Sequence, residues 1–398
     1  MKITILFFNL LLFIFLISCS EKKQVISYTP VQKTIDAYDL DGNEMMVAQN
    51  IKMKPKSFIN TINKDTVMII HHLGQTGFHF YNAVAFSDEK KGVIVGGAGL
   101  RIRTTRDGGL HWQENKFSRF ANTFYSVAVK NDTIFVVGEN KNIYRSTNFG
   151  KHWEIFDTDV LLNQHLKAKA TEIARKYSPR YYKIKFYKHT GIVVGDYDKT
   201  KKAKPILLKT TDTGKTWQIL KPTGLLNFET GIFDVAIVSE ELLYIVTFKG
   251  NCYKSTDGGN TWNLQYRNIK TSLNTIQFLN ENEGFIAGMN STLCYTNTGG
   301  KVWEKIPLEL NKHLNITNIR YINNEKAIFT VASQNGELKA DLLYQIDIKT
   351  KAIKSVFSKK DTTVTFKGNT YGLFTLKNNL YVLDRNNLYK MPFKFIKE

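Results

Sequence analysis

The chain has 398 residues, a formal net charge of +20 and 42% hydrophobic residues. Its length exceeds that of a typical single domain, so we expect either two domains or one large closed architecture. The charge alone suggests anionic partners, but lysines occur in almost every segment, which favours a solvated basic surface over a dedicated anion site.

The N-terminal residues have the pattern of a secretory signal peptide. Lys2 precedes an apolar run, residues 3–16, which is shorter than the roughly 20 residues of a membrane-spanning helix. The run leads into Leu16-Ile17-Ser18-Cys19, an order that resembles the lipobox of bacterial lipoproteins. The resemblance implies cleavage before Cys19 and lipidation of its thiol. An ordinary cleaved signal peptide, which would leave a soluble periplasmic protein, is the alternative.

The chain therefore divides into a signal peptide at residues 1–18, a lipidated tether and N-terminal cap at residues 19–62, and a folded domain at residues 63–398. The predicted location is the cell envelope, with the lipid in a bacterial membrane and the protein facing the periplasm or the cell surface. Export from the cytoplasm argues against nucleic acid as a ligand.

One eight-residue motif occurs five times, and each of the five tryptophans ends one copy. Asp or Asn at its third position can accept hydrogen bonds from the turn's own N–H groups, and Gly at its fifth can adopt a positive φ. The Trp begins the next strand and buries its ring against the neighbouring sheet. The motif thus predicts tight structural turns. Its third and last residues are Asp107 and Trp112, Asn148 and Trp153, Asp212 and Trp217, Asp257 and Trp262, and Thr298 and Trp303.

Four short strands of apolar, β-branched and aromatic residues recur around the motif. Successive motif tryptophans in regular repeats lie 41 to 45 residues apart, which is the spacing of propeller blades. Two later repeats lack the motif, and the last of them is one strand short. The apolar segment at residues 66–71 can supply that strand and close the ring. We predict an all-β fold, a seven-bladed β-propeller of four-stranded blades; a six-bladed ring or an open solenoid is the alternative.

An insertion interrupts this rhythm, because Trp153 and Trp217 lie 64 residues apart. Within residues 157–180 the apolar spacing predicts a helix over 159–177, capped by Thr158 and stopped by Pro179. A second insertion, residues 196–205, is rich in lysine. Both belong to links that emerge on the same propeller face, so we expect them to lie side by side.

This face is the predicted docking site for an acidic protein or an envelope polymer. The alternative is that the helix merely packs on its blade and that its basic residues are solvated. The candidate partner-binding residues are Lys167, Lys169, Arg175, Lys176, Lys199, Lys201, Lys202 and Lys204.

Neither the cysteines nor the candidate metal ligands indicate a functional site. If Cys19 is lipidated, Cys252 and Cys294 remain, and a disulfide between them requires Cα atoms within about 7 Å although adjacent blades diverge outward. His71 and His72 are consecutive in a predicted strand and point to opposite faces. The segment at residues 39–43 lacks the spacing of a calcium loop. We expect no metal, no cofactor and a monomer.

The motif, its strand pattern and glycine-rich turns such as residues 96–99 resemble the BNR or Asp-box propellers, in particular the family of photosystem II stability and assembly factors and its relatives outside photosynthesis. The resemblance covers roughly residues 64–396. It implies a non-catalytic interaction or assembly role, without carrying over a photosynthetic partner.

The disfavoured alternative is a glycan-acting hydrolase, because sialidases also contain Asp-boxes. Sialidases resemble one another in an Arg-Ile-Pro motif, an arginine triad and a Tyr nucleophile paired with Glu. This chain has Arg101-Ile102-Arg103 but no Arg-Ile-Pro. A carboxylate pair across the central channel, which glycosidase chemistry needs, stays open.

Overall fold

The structure is a computed structural model that describes part of the chain, and the description of residues 58–72 is limited to their backbone. The described residues are 58–62, 65–72, 81–97, 101–117, 122–139, 141–158, 161–162, 179–197, 203–221, 223–224, 230–308, 314–333, 343–356, 372–384 and 387–393. Across these residues, no helix has the length and apolar character needed to span a membrane.

Six blades each consist of four consecutive antiparallel strands. Blade one consists of β3 (Tyr81–Phe86), β4 (Gly92–Gly96), β5 (Arg101–Thr105) and β6 (Gln113–Lys116). Blade two consists of β7 (Phe124–Lys130), β8 (Thr133–Gly138), β9 (Asn142–Ser146) and β10 (Glu154–Asp157). Blade three consists of β11 (Arg180–Tyr187), β12 (Thr190–Tyr197), β13 (Lys204–Thr210) and β14 (Gln218–Ile219). Blade four consists of β15 (Ile232–Ile237), β16 (Leu243–Thr247), β17 (Asn251–Ser255) and β18 (Asn263–Arg267). Blade five consists of β19 (Leu273–Phe278), β20 (Gly284–Gly288), β21 (Leu293–Thr296) and β22 (Glu304–Lys305). Blade six consists of β23 (Leu314–Tyr321), β24 (Lys326–Ser333), β25 (Leu343–Asp347) and β26 (Ile353–Ser355).

The seventh blade joins both ends of the described chain. Its strands are β27 (Gly372–Leu376), β28 (Asn379–Leu383), β29 (Asn387–Pro392), β2 (Asp65–His72) and β1 (Phe58–Ile62), in that spatial order. The pairing of β2 with β29 confirms that the segment at residues 66–71 completes the last blade. The fifth strand, β1, was not expected.

The first strands of consecutive blades contact one another in a closed series, β3 to β7 and onward to β27, which returns to β3. These seven strands therefore surround the central channel, and the seven-bladed all-β fold is confirmed. The hydrophobic core lies between neighbouring blades rather than in the centre. Trp262, for example, packs with Ile192 and Val194 of blade three and Ile245 of its own blade.

Each Asp-box turn is held by its own side chains. Asp257 Oδ1 accepts hydrogen bonds from the Thr261 N–H (2.8 Å) and the Asn260 N–H (3.0 Å), while Ser255 Oγ accepts one from the Gly259 N–H (2.8 Å). Both the fourth and the fifth residues have positive φ, including non-glycine residues at the fourth position in two boxes: Phe149 (55°) and Thr213 (60°). The sequence had indicated this conformation for the fifth residue alone.

Replacing Asp257 by alanine is expected to lower the free energy of unfolding by about 1–2 kcal/mol, the usual cost of losing a side-chain cap. Asp257→Asn should cost clearly less, because Asn148 in the second box accepts the equivalent bonds from Ser146 Oγ (3.1 Å) and the His152 N–H (2.8 Å). Urea unfolding of the three proteins at neutral pH measures the difference. Equal losses in both variants would show that the box oxygen is not what stabilises the turn.

The stabilities of the wild-type protein and of Asp257→Asn should also differ at acidic pH. Burial opposes ionisation of Asp257, but hydrogen bonds from Thr261, Ser255 and Asn260 outweigh it and lower the pKa of this carboxyl to about 2. Since the folded pKa lies below the unfolded one, this stabilisation is present above roughly pH 4 and is lost as the pH falls toward 2. The wild-type protein should therefore lose more stability than Asp257→Asn over that interval.

Cys252 and Cys294 are both buried free thiols that belong to the same core cluster between blades four and five. Cys294 Sγ lies 3.6 Å from Tyr266 OH. Burial raises the pKa of both thiols, so they are unreactive core residues in this structure.

Candidate functional site

Most of the link between blades two and three lies outside the described residues, so the predicted helix over 159–177 stays a prediction. Leu161 and Leu162 are helical and buried, and the Leu162 N–H donates to the Thr158 carbonyl (2.9 Å). Thr158 Oγ1 itself lies 2.6 Å from the Lys141 carbonyl oxygen and 2.5 Å from Tyr181 OH. Of the predicted partner-binding residues, Lys204 is described: it is exposed and begins β13. Lys167, Lys169, Arg175, Lys176, Lys199, Lys201 and Lys202 lie outside the described residues, as does Cys19.

The start of β11, the end of β12 and the start of β13, to which the two insertions connect, lie on one propeller face, and this face carries a set of β-bulges. In blades one to six, the pairing of first and second strands shifts by one residue near the beginning of the first strand, between its second and fourth residues. A bulged residue has no cross-strand partner, and its side chain is redirected. The bulged residues are Asn82, Tyr125, Tyr182, Phe233, Asn274 and Thr317. They are aromatic in blades two to four and polar in blades one, five and six.

The three aromatic bulge residues form one surface with Phe248, which follows β16 on the same face. Ring centroids of Tyr125 and Tyr182 lie 5.6 Å apart, and those of Tyr182 and Phe233 lie 5.6 Å apart with nearly parallel planes. Phe248 packs edge-on against Phe233 (4.9 Å) and Tyr182 (5.2 Å). All four rings are partly exposed. We call these four residues the aromatic cluster.

Polar groups fix the aromatic cluster in place. Arg180 binds both oxygens of Asp196 at 2.9 Å, and Tyr182 OH donates to Asp196 Oδ2 (3.0 Å). Tyr125 OH donates to Glu139 Oε1 (2.6 Å). The Asp196 side chain is only 2% exposed, whereas that of Arg180 is 44% exposed. The cluster is therefore a rigid apolar surface with an arginine at its edge.

The hydrolase alternative gains no support from this geometry, although Tyr125 OH donates a hydrogen bond to Glu139 (2.6 Å) and sialidases pair a Tyr nucleophile with a Glu. Burial, together with the hydrogen bond to Glu139, raises the pKa of Tyr125, so the phenol stays protonated and is a poor nucleophile. Arg180 is bound by Asp196 and is not free for a substrate carboxylate.

The central channel likewise presents no carboxylate pair within the described lining. The charged side chains that line its cavity there are Lys183, Lys185 and Arg320. Asp234 lies behind them, 2% exposed and 2.8 Å from Lys185 Nζ. Within the described residues, no group of three or more His, Cys, Asp and Glu side chains could hold a metal ion.

Seven antiparallel blades, six of four strands and one of five, with Asp-box turns in the first five blades, define a β-propeller of the BNR type. The chain belongs to the family described as photosynthesis system II assembly factor YCF48, whose family model matches residues 77–175 and 222–338, more than half of its length. No curated protein sequence matches it.

Three solved structures have the same fold. "YCF48 bound to D1 peptide" has a TM-score of 0.58 and 15% identity, covering 84% of this chain and 98% of that one. YCF48 from Cyanidioschyzon merolae has a TM-score of 0.59 and 16% identity, covering 81% of this chain and 98% of that one. The WD40 propeller domain of Doa1 has a TM-score of 0.57 and 10% identity, covering 82% and 96%. At these identities the likeness concerns the fold alone.

Proposed function

We propose that this protein is a non-catalytic scaffold that binds a segment of a partner protein on the face formed by the aromatic cluster and the two insertions. The aromatic cluster is the observation that carries the proposal. Partly exposed rings on a rigid framework lose little conformational entropy on binding and are typical anchors of protein interfaces. Membership in a family of assembly factors, and a relative described as bound to a D1 peptide, support a peptide or protein partner.

The partner is expected to be acidic as well as apolar. Lys204, which is exposed, begins the strand that follows the lysine-rich insertion. The remaining predicted basic residues belong to the two insertions that flank β11 and β12 in the chain. Clustered cations on one face accelerate association with acidic partners and set their orientation. An acidic segment with an aromatic or aliphatic anchor therefore fits this face best.

The scaffold is proposed to act in the bacterial cell envelope, held to a membrane through lipidated Cys19. The support for this localisation is the order Leu16-Ile17-Ser18-Cys19 after a short apolar run. The chain would act as a monomer, since every sheet of the described propeller has its ring neighbours within the same chain.

Capture of partners from envelope extracts tests the proposed face. The double variant Tyr182→Ala/Phe248→Ala should lose at least about 90% of the specifically captured protein, because the apolar anchor surface is removed. Val302→Ala is the matched control: Val302 is 64% exposed in the fifth Asp-box, at the opposite end of its blade. It should capture as the wild type does, and thermal unfolding should show that all variants are folded.

A second variant tests the charge of the partner. Reversal of Lys199, Lys201, Lys202 and Lys204 to Glu should abolish capture if the partner is acidic. If quantitative mass spectrometry finds the same proteins with both the aromatic and the lysine variants, this face is not the docking site.

A further inference from the structure

The central channel contains a cavity of about 330 Å³ lined by the first strands. The side chains that line the cavity differ among the blades at one position, the third residue after each bulged residue. Blades one, two and four have alanine there: Ala85, Ala128 and Ala236. Blades three, five and six have Lys185, Gln277 and Arg320. The small residues leave open space, and the long polar side chains of the other blades face into it.

The charges around this cavity are unbalanced. Lys183, Lys185 and Arg320 line it, and the described lining contains no carboxylate. Asp234, the nearby carboxylate, is already occupied: it accepts bonds from Lys185 Nζ (2.8 Å), the Ile276 N–H (3.1 Å) and Thr275 Oγ1 (3.3 Å). Three cations against one carboxylate leave the channel with a net positive charge.

Two of the cations retain donors for a ligand. Arg320 donates to Gln277 Oε1 (2.7 Å) and to the Leu373 carbonyl (3.4 Å), both neutral acceptors, whereas a guanidinium has five N–H donors. Lys183 is partly buried and makes no ion pair with a described residue. A fork of guanidinium donors beside an ammonium group matches the geometry of carboxylate and phosphate oxygens.

We propose that the central channel is a binding site for a small molecule that carries carboxylate or phosphate groups, held by Arg320 and Lys183 with Lys185 nearby. The volume lies at the lower end of the range for small-molecule sites. The site is separate from the aromatic cluster and independent of the function proposed above.

The protonation of Lys185 is expected to change when an anion binds to this site. Burial, with smaller effects from Arg320 and Lys183, outweighs the attraction of Asp234 and lowers the pKa of Lys185 to about 8. A bound anion raises that pKa again, because it stabilises the charged ammonium. Binding near pH 8 is therefore accompanied by proton uptake, and affinity falls as the pH rises above 8.

Calorimetric titration with inorganic phosphate and with citrate, at fixed ionic strength in sodium chloride, tests the proposal. Millimolar or tighter binding of either anion is expected, and which one binds identifies the ligand class. Arg320→Gln and Lys183→Gln should each weaken binding at least about tenfold. Lys270→Gln, the same charge change at an exposed position on the rim between blades four and five, is the control and should bind like the wild type.

Arg320→Gln also removes the bonds to Gln277 and Leu373, so its folding is checked by thermal unfolding; Lys183→Gln breaks no described bond and keeps the test decisive. Titration in two buffers of different ionisation enthalpy at pH 8 should reveal proton uptake. The proposal is overturned if neither anion binds at 10 mM, a concentration far above the expected range, or if all three variants bind equally.

Discussion

Replacing Asp234 by alanine is expected to lower the free energy of unfolding by about 3–5 kcal/mol, because it leaves the buried ammonium of Lys185 without its counter-ion. Asp234 joins three blades: it binds Lys185 of blade three, lies in β15 of blade four, and accepts bonds from Thr275 and Ile276 of blade five. Its loss affects the packing of three first strands at once. Equilibrium unfolding in urea, followed by tryptophan fluorescence, measures the change.

The double variant Asp234→Leu/Lys185→Met is the matched control. Replacing both members of a buried ion pair by apolar residues of similar size is often neutral or stabilising. The double variant should therefore recover most of the stability that Asp234→Ala loses. A loss below about 1 kcal/mol in the single variant would mean that water, rather than Asp234, compensates Lys185.

Deleting residues 1–72 is expected to destabilise the propeller by several kcal/mol and to make it aggregate. The deletion removes β2, whose four paired positions with β29 run from Met68–Lys390 to His72–Asn387. At roughly 1 kcal/mol net for each ladder hydrogen bond, the loss is on the order of 4 kcal/mol. It also leaves β29 as an unpaired edge that can pair with other chains.

Deleting residues 1–57 is the control, since it keeps β1 and β2 and so leaves the closing blade complete. Thermal unfolding and size-exclusion chromatography should show a folded monomer for this variant and a destabilised, self-associating species for the longer deletion. Equal behaviour of the two proteins would contradict a closing role for β2.

Much of the fold was predictable because each Asp-box determines both a local turn and a contact between blades. The motif fixes a turn through Asp257 and Ser255, and its Trp262 marks where that turn packs against the preceding blade. One short pattern therefore places both a hairpin and a blade interface. The missing strand of the last blade was predictable because a ring cannot leave a sheet edge open.

The aromatic cluster was missed because a β-bulge changes the direction of a side chain without changing residue type. Phe124-Tyr125, Tyr181-Tyr182 and Ile232-Phe233 each place two large side chains in succession at the start of a strand. Strict alternation would send one of each pair into the core on the wrong side. This break in alternation, repeated in three consecutive blades, was the available signal.

The charge imbalance of the channel could not be derived in advance. Lys183, Lys185 and Arg320 are ordinary members of a lysine-rich sequence, and 137 positions separate Lys183 from Arg320. That they meet depends on the ring being closed with a particular blade number. Asp234 pairs with Lys185 and accepts its other bonds from backbone and hydroxyl donors of the neighbouring blade, so a single carboxylate stands against three cations.

The union of β2 and β29 in one blade has a consequence for how the protein is made. The two strands are more than 300 residues apart in sequence, so the contact order of this pairing is very high. The conformational entropy lost in closing so long a loop must be overcome before the pairing stabilises the fold. During synthesis β2 can pair with β1 as soon as both have emerged, but its other edge has no partner until β29, the final strand, has emerged. We therefore expect ring closure to be the last step of folding, and the open edge of β2 to need protection from aggregation until then.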